Sequence, residues 1–247
     1  MSPRIPRDLI KHLEWKPGME LPKEGKVGST PKPPRATPQF REGFIYVPSL
    51  DLYFSKERMH TNSDWYNCHK LLQEQDLIMP VIPQWIEFLK YIRDSDDPEN
   101  KRIYEDIVTV RNPWRAEWFD ARFEQREDGL YLCSGHEYKG SDSEGKIILE
   151  ARNSIKLENH LMADRGEHIN NKPGIDLNSW LERYTDEGLP YADIPNGELY
   201  YWHPRNNAVA RFNANSGRAW LICDGDPSYR YASLGVRAVA KNLGGSS

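Results

Sequence analysis

The chain has 247 residues and a formal net charge of -4 at pH 7, and aromatic residues make up 11% of it. This length suits one sizeable domain with a tail, or two small domains. A specific nucleic-acid partner is not expected, because the chain has no net basic charge. Membrane insertion is not expected either, because no apolar run approaches the roughly 20 residues of a spanning helix.

The cysteine pattern limits the chemistry further. Cys68, Cys133 and Cys223 are odd in number and far apart, and no CxxC pair is present. This argues against a disulfide framework and against a structural zinc site. We therefore expect three buried thiols.

The N-terminal residues 1–42 are expected to form an extended arm. Residues 1–41 carry eight of the 18 prolines, and basic residues outnumber acidic ones there. Such a segment builds little regular structure, and it lacks the apolar core of a signal peptide. The globular domain is expected over residues 43–247.

The first part of this domain predicts two strands and two helices. Residues 44–48 and 52–55 have the composition of strands. A helix is expected to begin after Ser63 as its N-cap, with Trp65 and Leu72 on its buried side. A second helix should have Pro83 in its first turn, with apolar residues at helical spacing behind it.

The central section predicts an antiparallel sheet with two further helices. Residues 117–124 alternate, with Phe119, Ala121 and Phe123 on one face, and Asp128–Gly129 is a strong hairpin signal. The other expected elements are a charged helix at 98–108, a returning strand at 130–133, a loop at 140–145, a strand at 147–149, a helix at 176–183 and a strand at 198–202.

Residues 209–239 mix apolar side chains with polar and aromatic ones. From 219 to 224 the two kinds alternate one for one, which predicts a strand with Ala219, Leu221 and Cys223 facing the core. The outward side chains would then be Trp220, Ile222 and Asp224. An ordinary edge strand with a solvated face would give the same pattern.

Several short motifs in this stretch carry a resemblance to a known family. They are VARF at 209–212, ANSG at 214–217, the Leu221–Cys223 pair, Pro227 and SLGVRAV at 233–239. Together they resemble the variable region of proteins that are diversified by diversity-generating retroelements, found in phages, archaeal viruses and some cells. Residues 65–89 look like the two-helix portion of the same family.

The resemblance implies an α+β, C-type-lectin-like fold close to that of formylglycine-generating enzymes. It also implies a non-enzymatic binding protein without cofactor or metal, a monomer on a virion or cell surface, although a cytoplasmic location stays open. Its partner would be an unknown macromolecule, such as a host surface protein. In the family, adenines are replaced mostly in AAC codons, which cannot become Trp codons, so Trp220 is scaffold or has another origin.

The expected ligand contacts lie in the last fifth of the chain. They are Tyr201, His203, Arg205, Asn206, Asn207, Asn213, Asn215, Arg218, Trp220, Ile222, Asp224, Gly225, Asp226, Ser228, Tyr229, Arg230 and Tyr231.

Enzymatic and metal-dependent alternatives find less support in the sequence. A formylglycine-generating enzyme needs a cysteine pair near its C-terminal end, and only Cys223 lies there. The Cys68–His69 neighbours diverge on a helix and cannot readily share a proton, and Ser134–Gly135–His136 is a common chance pairing. Asp224 and Asp226 alone do not supply the about six to eight oxygens that calcium takes. A structural virion protein is a further alternative.

Overall fold

The computed structural model describes residues 41–167, 169, 171–215 and 217–242. The arm expected over residues 1–42 lies outside this range except for its last two residues, so it stays a prediction. The described part is a mixed α+β structure in which antiparallel strands predominate. None of its helices has the length and apolar character needed to cross a membrane.

In chain order the elements are β1 (Phe44–Val47), β2 (Leu52–Ser55), α1 (Trp65–Gln73), α2 (Ile82–Arg93), α3 (Pro98–Val108), β3 (Arg115–Arg126), β4 (Gly129–Ser141), β5 (Ile147–Lys156), β6 (Gly174–Ile175), α4 (Leu177–Glu182), β7 (Asn196–Gly197), β8 (Tyr200–Trp202), β9 (Val209–Ala214), β10 (Ala219–Gly225), β11 (Leu234–Gly235) and β12 (Val239–Lys241). Every helix and strand expected from the sequence is present. The central strands are longer than predicted, so β4 continues through Gly140 into the expected loop.

The helices begin where local polar groups satisfy their first amides. The N-cap of α1 is Asp64 and not Ser63, because the Asp64 carboxylate accepts a hydrogen bond from the Asn67 amide at 2.8 Å. Asp97 caps α3 and Asp176 caps α4 in the same manner. In α2 the predicted proline lies in the first turn, where the missing N–H costs nothing.

The strands form one large sheet, one small three-stranded sheet and one short pair. The large sheet has the order β5-β4-β3-β9-β10-β8, with β11 beside β3. Its neighbours are antiparallel, except that β8 runs parallel to β10 and β11 parallel to β3. The order β1-β2-β12 makes the small sheet, and β6 pairs with β7.

Both faces of the centre of the large sheet are covered. Phe119, Ala121 and Phe123 are buried together with α2 on one face, as the alternation predicts. Trp118, on the opposite face, is also fully buried, in a second cluster that includes Trp65 of α1. Alternation within β3 therefore separates two cores, and not core from solvent.

A buried ion pair joins this sheet to the C-terminal segment. Arg237 donates to Glu117 at 2.6 Å, and both side chains are at most 3% exposed. Arg237 also donates to the carbonyls of Ser55 and Lys56, while Trp85 donates to Glu117. Burial alone would raise the pKa of Glu117, but the Arg237 charge and the hydrogen bonds from Arg237 and Trp85 hold this pKa below its usual range.

Candidate functional site

The register between β8 and β10 decides which C-terminal side chains share a face. Trp220 lies opposite Tyr200, Leu221 opposite Tyr201, and Ile222 opposite Trp202. Neighbouring strands place register partners on the same face of a sheet. Trp202 therefore accompanies Trp220, and Tyr201 accompanies the core residue Leu221.

Tyr201 is the clearest error among the expected contacts. Its side chain is fully buried, and its hydroxyl donates to the Leu161 carbonyl at 3.1 Å. Trp202, which the sequence did not single out, is partly exposed and stacks on Trp220 with ring centroids 4.6 Å apart. The strand at 198–202 was predicted, but its register with β10 had no sequence signal.

The exposure expected for Ile222, Asn213 and Gly225 is also wrong. Ile222 is 5% and Asn213 6% exposed. They share their face with Trp220, and on this face Arg211 is the cross-strand partner of Ile222. The Arg211 guanidinium lies 5.3–5.4 Å from the ring centroids of Trp118 and Tyr229, so this face is occupied by side chains and is not open to solvent. Gly225 is buried because its backbone crosses β9 closely: a Cβ atom there would stand 2.8 Å from the Val209 carbonyl oxygen.

The loop after β10 carries five of the eight candidate residues that are exposed. Tyr229 is 40% and Tyr231 46% exposed, and their rings meet edge to face at 5.8 Å. Tyr231 also contacts the Trp114 ring at 5.4 Å. Asp226, Ser228 and Arg230 are exposed in the same loop, as the sequence predicts.

This loop is held from several sides. The Pro227 carbonyl accepts from the Trp65 amide at 3.0 Å, and the Tyr231 carbonyl accepts from the Asn62 amide at 3.0 Å. Asp226 accepts from the amide and hydroxyl of Ser228. Arg230 donates through Nε to Asp64 at 2.8 Å, the same carboxylate that caps α1. The two tyrosines are therefore presented by a loop with defined backbone contacts.

Charged residues follow the C-terminal end of β8. Arg205 contacts Asp164 at 2.8 Å and Asp224 at 3.5 Å, and His203 contacts Asp164 at 2.7 Å. Burial, together with the Asp164 charge, raises the pKa of Asp224 despite the opposing effect of Arg205. Arg218, partly exposed, pairs with Glu198.

Some exposed candidates have a structural use. Asn206 accepts the Gln125 amide at 2.8 Å, and Asn215 accepts the amides of Gly217 and Arg218. Asn207 adopts a left-handed backbone conformation with φ of 61°, which Asn tolerates better than most residues. Asn215 and Asn207 shape turns, and Asn206 ties its loop to β3, so a change at any of them affects the backbone as well as any contact.

We define the aromatic face as Trp202, Arg205, Trp220, Asp224, Tyr229 and Tyr231. It combines a stacked tryptophan pair, a pair of exposed tyrosines and a surface ion pair. The Trp220 indole N–H has no hydrogen-bond partner among the described residues.

The thiols are unsuited to nucleophilic chemistry. All three cysteines are free and buried, as expected. Burial, with a smaller contribution from Asp64, raises the pKa of Cys68 to about 12. Burial likewise raises the pKa of Cys223 well above its usual value. Since the thiolate is the reactive form, burial makes Cys68 and Cys223 poor nucleophiles.

Two histidines that the sequence treated separately meet inside the protein. His69 of α1 and His136 of β4 both approach Asp120 of β3. Burial lowers the pKa of His69 to about 4, although the Asp120 charge opposes the shift. No sequence spacing predicts this cluster, because its members come from three elements that only the tertiary structure brings together.

Compared with known protein families, curated proteins and solved structures, the chain shows no match.

Proposed function

We propose that this protein is a non-enzymatic binding protein of the receptor or adhesin type, which contacts a macromolecular ligand through the aromatic face. The observation that carries the proposal is the pair of exposed tyrosines, Tyr229 and Tyr231, on a loop that is anchored at Pro227, Arg230 and Tyr231.

The composition of the aromatic face suits recognition of a protein surface. Tyrosine and tryptophan supply large contact area at a small cost in conformational entropy, and they dominate antibody paratopes. A loop that is already ordered loses less entropy on binding than a free one.

We further propose that the chain has a C-type-lectin-like fold and that a retroelement diversifies part of this face. The motifs at 209–239 and the α+β architecture support this proposal. Among the exposed residues of the loop after β10, Arg230 binds Asp64, whereas Asp226 and Ser228 have described side-chain hydrogen bonds only to each other and Tyr229 and Tyr231 have none. Positions 226, 228, 229 and 231 are therefore the ones that we expect to vary most freely. Exposed substitutions typically change stability by within about 0.5 kcal/mol, so affinity can vary while the fold persists.

Diversification is tested in the DNA beside the gene. We expect a second copy of the stretch that encodes residues 209–239, differing at adenines and lying close to a reverse transcriptase gene. A genomic neighbourhood that lacks such a copy would refute diversification and leave the binding proposal standing.

Binding is tested with two displayed libraries of the full chain. The first varies positions 226, 228, 229 and 231, and the second varies 221, 222 and 223. We expect protease resistance to survive in most of the first library and in few members of the second.

Selection of the first library on unrelated immobilised proteins should then yield binders. Their affinity should fall when positions 229 and 231 are changed to Ala, and it should not change with Tyr91→Ala. Tyr91 is the matched control, since it is an exposed tyrosine of α2 at 38% exposure. Binders whose affinity does not change when positions 229 and 231 are replaced by Ala would contradict the proposal.

A further inference from the structure

A cavity of about 890 Å³ opens next to α1 and the central strands. Its walls include His69 and Gln73 of α1, Gln84 of α2, Asp120 of β3, and Ser134 and His136 of β4. No residue of the aromatic face lines it. The proposed binding function therefore leaves this cavity without a role.

Three potential metal ligands converge on the cavity wall. The ligand atoms of His69, Asp120 and His136 all lie within 4.8 Å of one another. Asp120 Oδ1 is 2.5 Å from His136 Nδ1 and 3.7 Å from His69 Nε2. Each of the three side chains is at most 6% exposed. This is the one such group of three among the described residues.

His69 provides a second, independent observation. Its Nε2 atom is buried and has no hydrogen-bond partner among the described residues. An unpaired buried polar atom costs about 1–3 kcal/mol. The 3.7 Å gap to Asp120 Oδ1 is too long for a hydrogen bond. It is close to the about 3.4 Å that separates two ligands bound at about 2.1 Å to one tetrahedral ion.

The carboxylate is held in position from behind. Asp120 Oδ2 accepts from the amides of Gly135 at 2.8 Å and His136 at 3.1 Å, which leaves Oδ1 directed at the two imidazoles. Gly135 has a φ of +69°, a conformation that favours glycine and that aims both amides at Asp120. Such outer hydrogen bonds orient metal ligands in known sites.

An aromatic wall fixes the histidines. The Trp65 ring meets the His69 ring at 4.4 Å and the His136 ring at 4.9 Å, both nearly edge to face. Trp65 is itself fixed, because its indole N–H donates to the Phe119 carbonyl at 2.8 Å. The rings and the carboxylate are therefore largely in position before any ligand binds, which lowers the cost of binding.

We propose that His69, Asp120 and His136 bind one divalent transition-metal ion, zinc or ferrous iron, with at least one coordination position open to the cavity. Two imidazoles and one carboxylate are the ligand set of catalytic zinc and of non-haem ferrous sites. Calcium and magnesium prefer oxygen ligands, so the donor set selects against them. The ion would replace the proton of the hydrogen bond between His136 Nδ1 and Asp120 Oδ1, and this proton would be released to solvent. The two atoms would move apart by about 1 Å to reach coordination distance.

The first test is metal content and affinity of the untagged full chain. After chelation and dialysis, Zn²⁺, Fe²⁺ and Co²⁺ are titrated separately, and bound metal is measured by mass spectrometry. We expect one ion per chain, with a Co²⁺ absorption spectrum of nitrogen and oxygen coordination. Because most sites of this kind bind Zn²⁺ more tightly than Fe²⁺, zinc is distinguished from iron by the metal that the chain carries when it is purified anaerobically without added metal, and not by the order of affinities. Binding of less than about a tenth of an ion per chain to every metal would overturn the proposal.

The second test assigns the ligands. His69→Gln and Asp120→Asn should each weaken binding by more than the roughly 10- to 100-fold that loss of an outer-shell partner causes. His160→Gln is the matched control, because His160 is also buried and has an unpartnered ring nitrogen but lies outside the cluster. It should bind metal as the wild type does.

Misfolding is separated from ligand loss by the melting temperature. Zn²⁺ should raise the melting temperature of the wild type and of His160→Gln, because it binds the folded state. It should leave His136→Gln unchanged while that variant retains the wild-type circular dichroism spectrum. Equal stabilisation of His136→Gln and wild type would refute the assignment.

Discussion

The separation between a buried scaffold and an exposed contact surface can be measured by comparing Leu221→Ala with Tyr229→Ala. Leu221 is fully buried in the main core cluster. Its truncation removes apolar burial and leaves a cavity, which costs about 2–5 kcal/mol. For a domain of this size each kcal/mol corresponds to about 2–4 °C. The expected loss in melting temperature is therefore about 4–20 °C.

Tyr229 should behave differently although the residue is larger. It is 40% exposed, and its described ring contacts are Arg211 at 5.3 Å and Tyr231 at 5.8 Å. A cation–π contact at an exposed site contributes about 0.5–1 kcal/mol. We therefore expect Tyr229→Ala to lower stability by about 1 kcal/mol, with a change in melting temperature of a few degrees.

The assay is urea denaturation followed by tryptophan fluorescence and by circular dichroism, with thermal melting as a second measure. Tyr91→Ala, an exposed tyrosine of α2, is the control for loss of an aromatic ring from the surface. If Leu221→Ala costs less than about 1 kcal/mol, the site collapses without a cavity and Leu221 is not scaffold. If Tyr229→Ala costs as much as Leu221→Ala, the loop is part of the core, and the proposed freedom of its residues is refuted.

Three further outcomes follow from the buried groups. Arg237→Met should lower the free energy of unfolding by about 3–5 kcal/mol, because it leaves the Glu117 carboxylate buried without its partner. In urea denaturation the double variant Arg237→Met with Glu117→Gln should be less destabilised than Arg237→Met alone. An equal loss of stability in the two variants would show that the pair is not coupled. The lowered pKa of Glu117 means that the folded state holds its proton less tightly than the unfolded state does, so its contribution to stability is present above its usual pKa of 4.5 and is lost as the pH falls below that value. Acid titration of the unfolding free energy should show this loss in the wild type and a shallower one in Glu117→Gln, and parallel curves would contradict it. Cys223 should resist alkylation by iodoacetamide in the native protein and react in urea, because burial raises the pKa of its thiol. Mass spectrometry measures the labelling, and rapid labelling of the native protein would show that the thiol is accessible.

The amino-acid sequence by itself determined the local elements. The helix at α2 follows from its apolar spacing and from Pro83 in the first turn, and the β3–β4 hairpin follows from Asp128–Gly129. Such signals are short-range, since they depend on residues that are close together in the sequence. The alternation in β10 likewise predicted correctly that Leu221 and Cys223 face the core.

Only the tertiary structure decided which candidate side chains are exposed. Alternation assigns residues to two faces, but it does not say how crowded each face is, so Ile222 is buried beside its cross-strand partner Arg211 and not in solvent. The parallel register of β8 sends Tyr201 inward and Trp202 outward, and that register depends on a long-range pairing without a local signal. The same holds for His69, Asp120 and His136, which meet because α1 packs beside β3 and β4 and not because of any spacing along the chain.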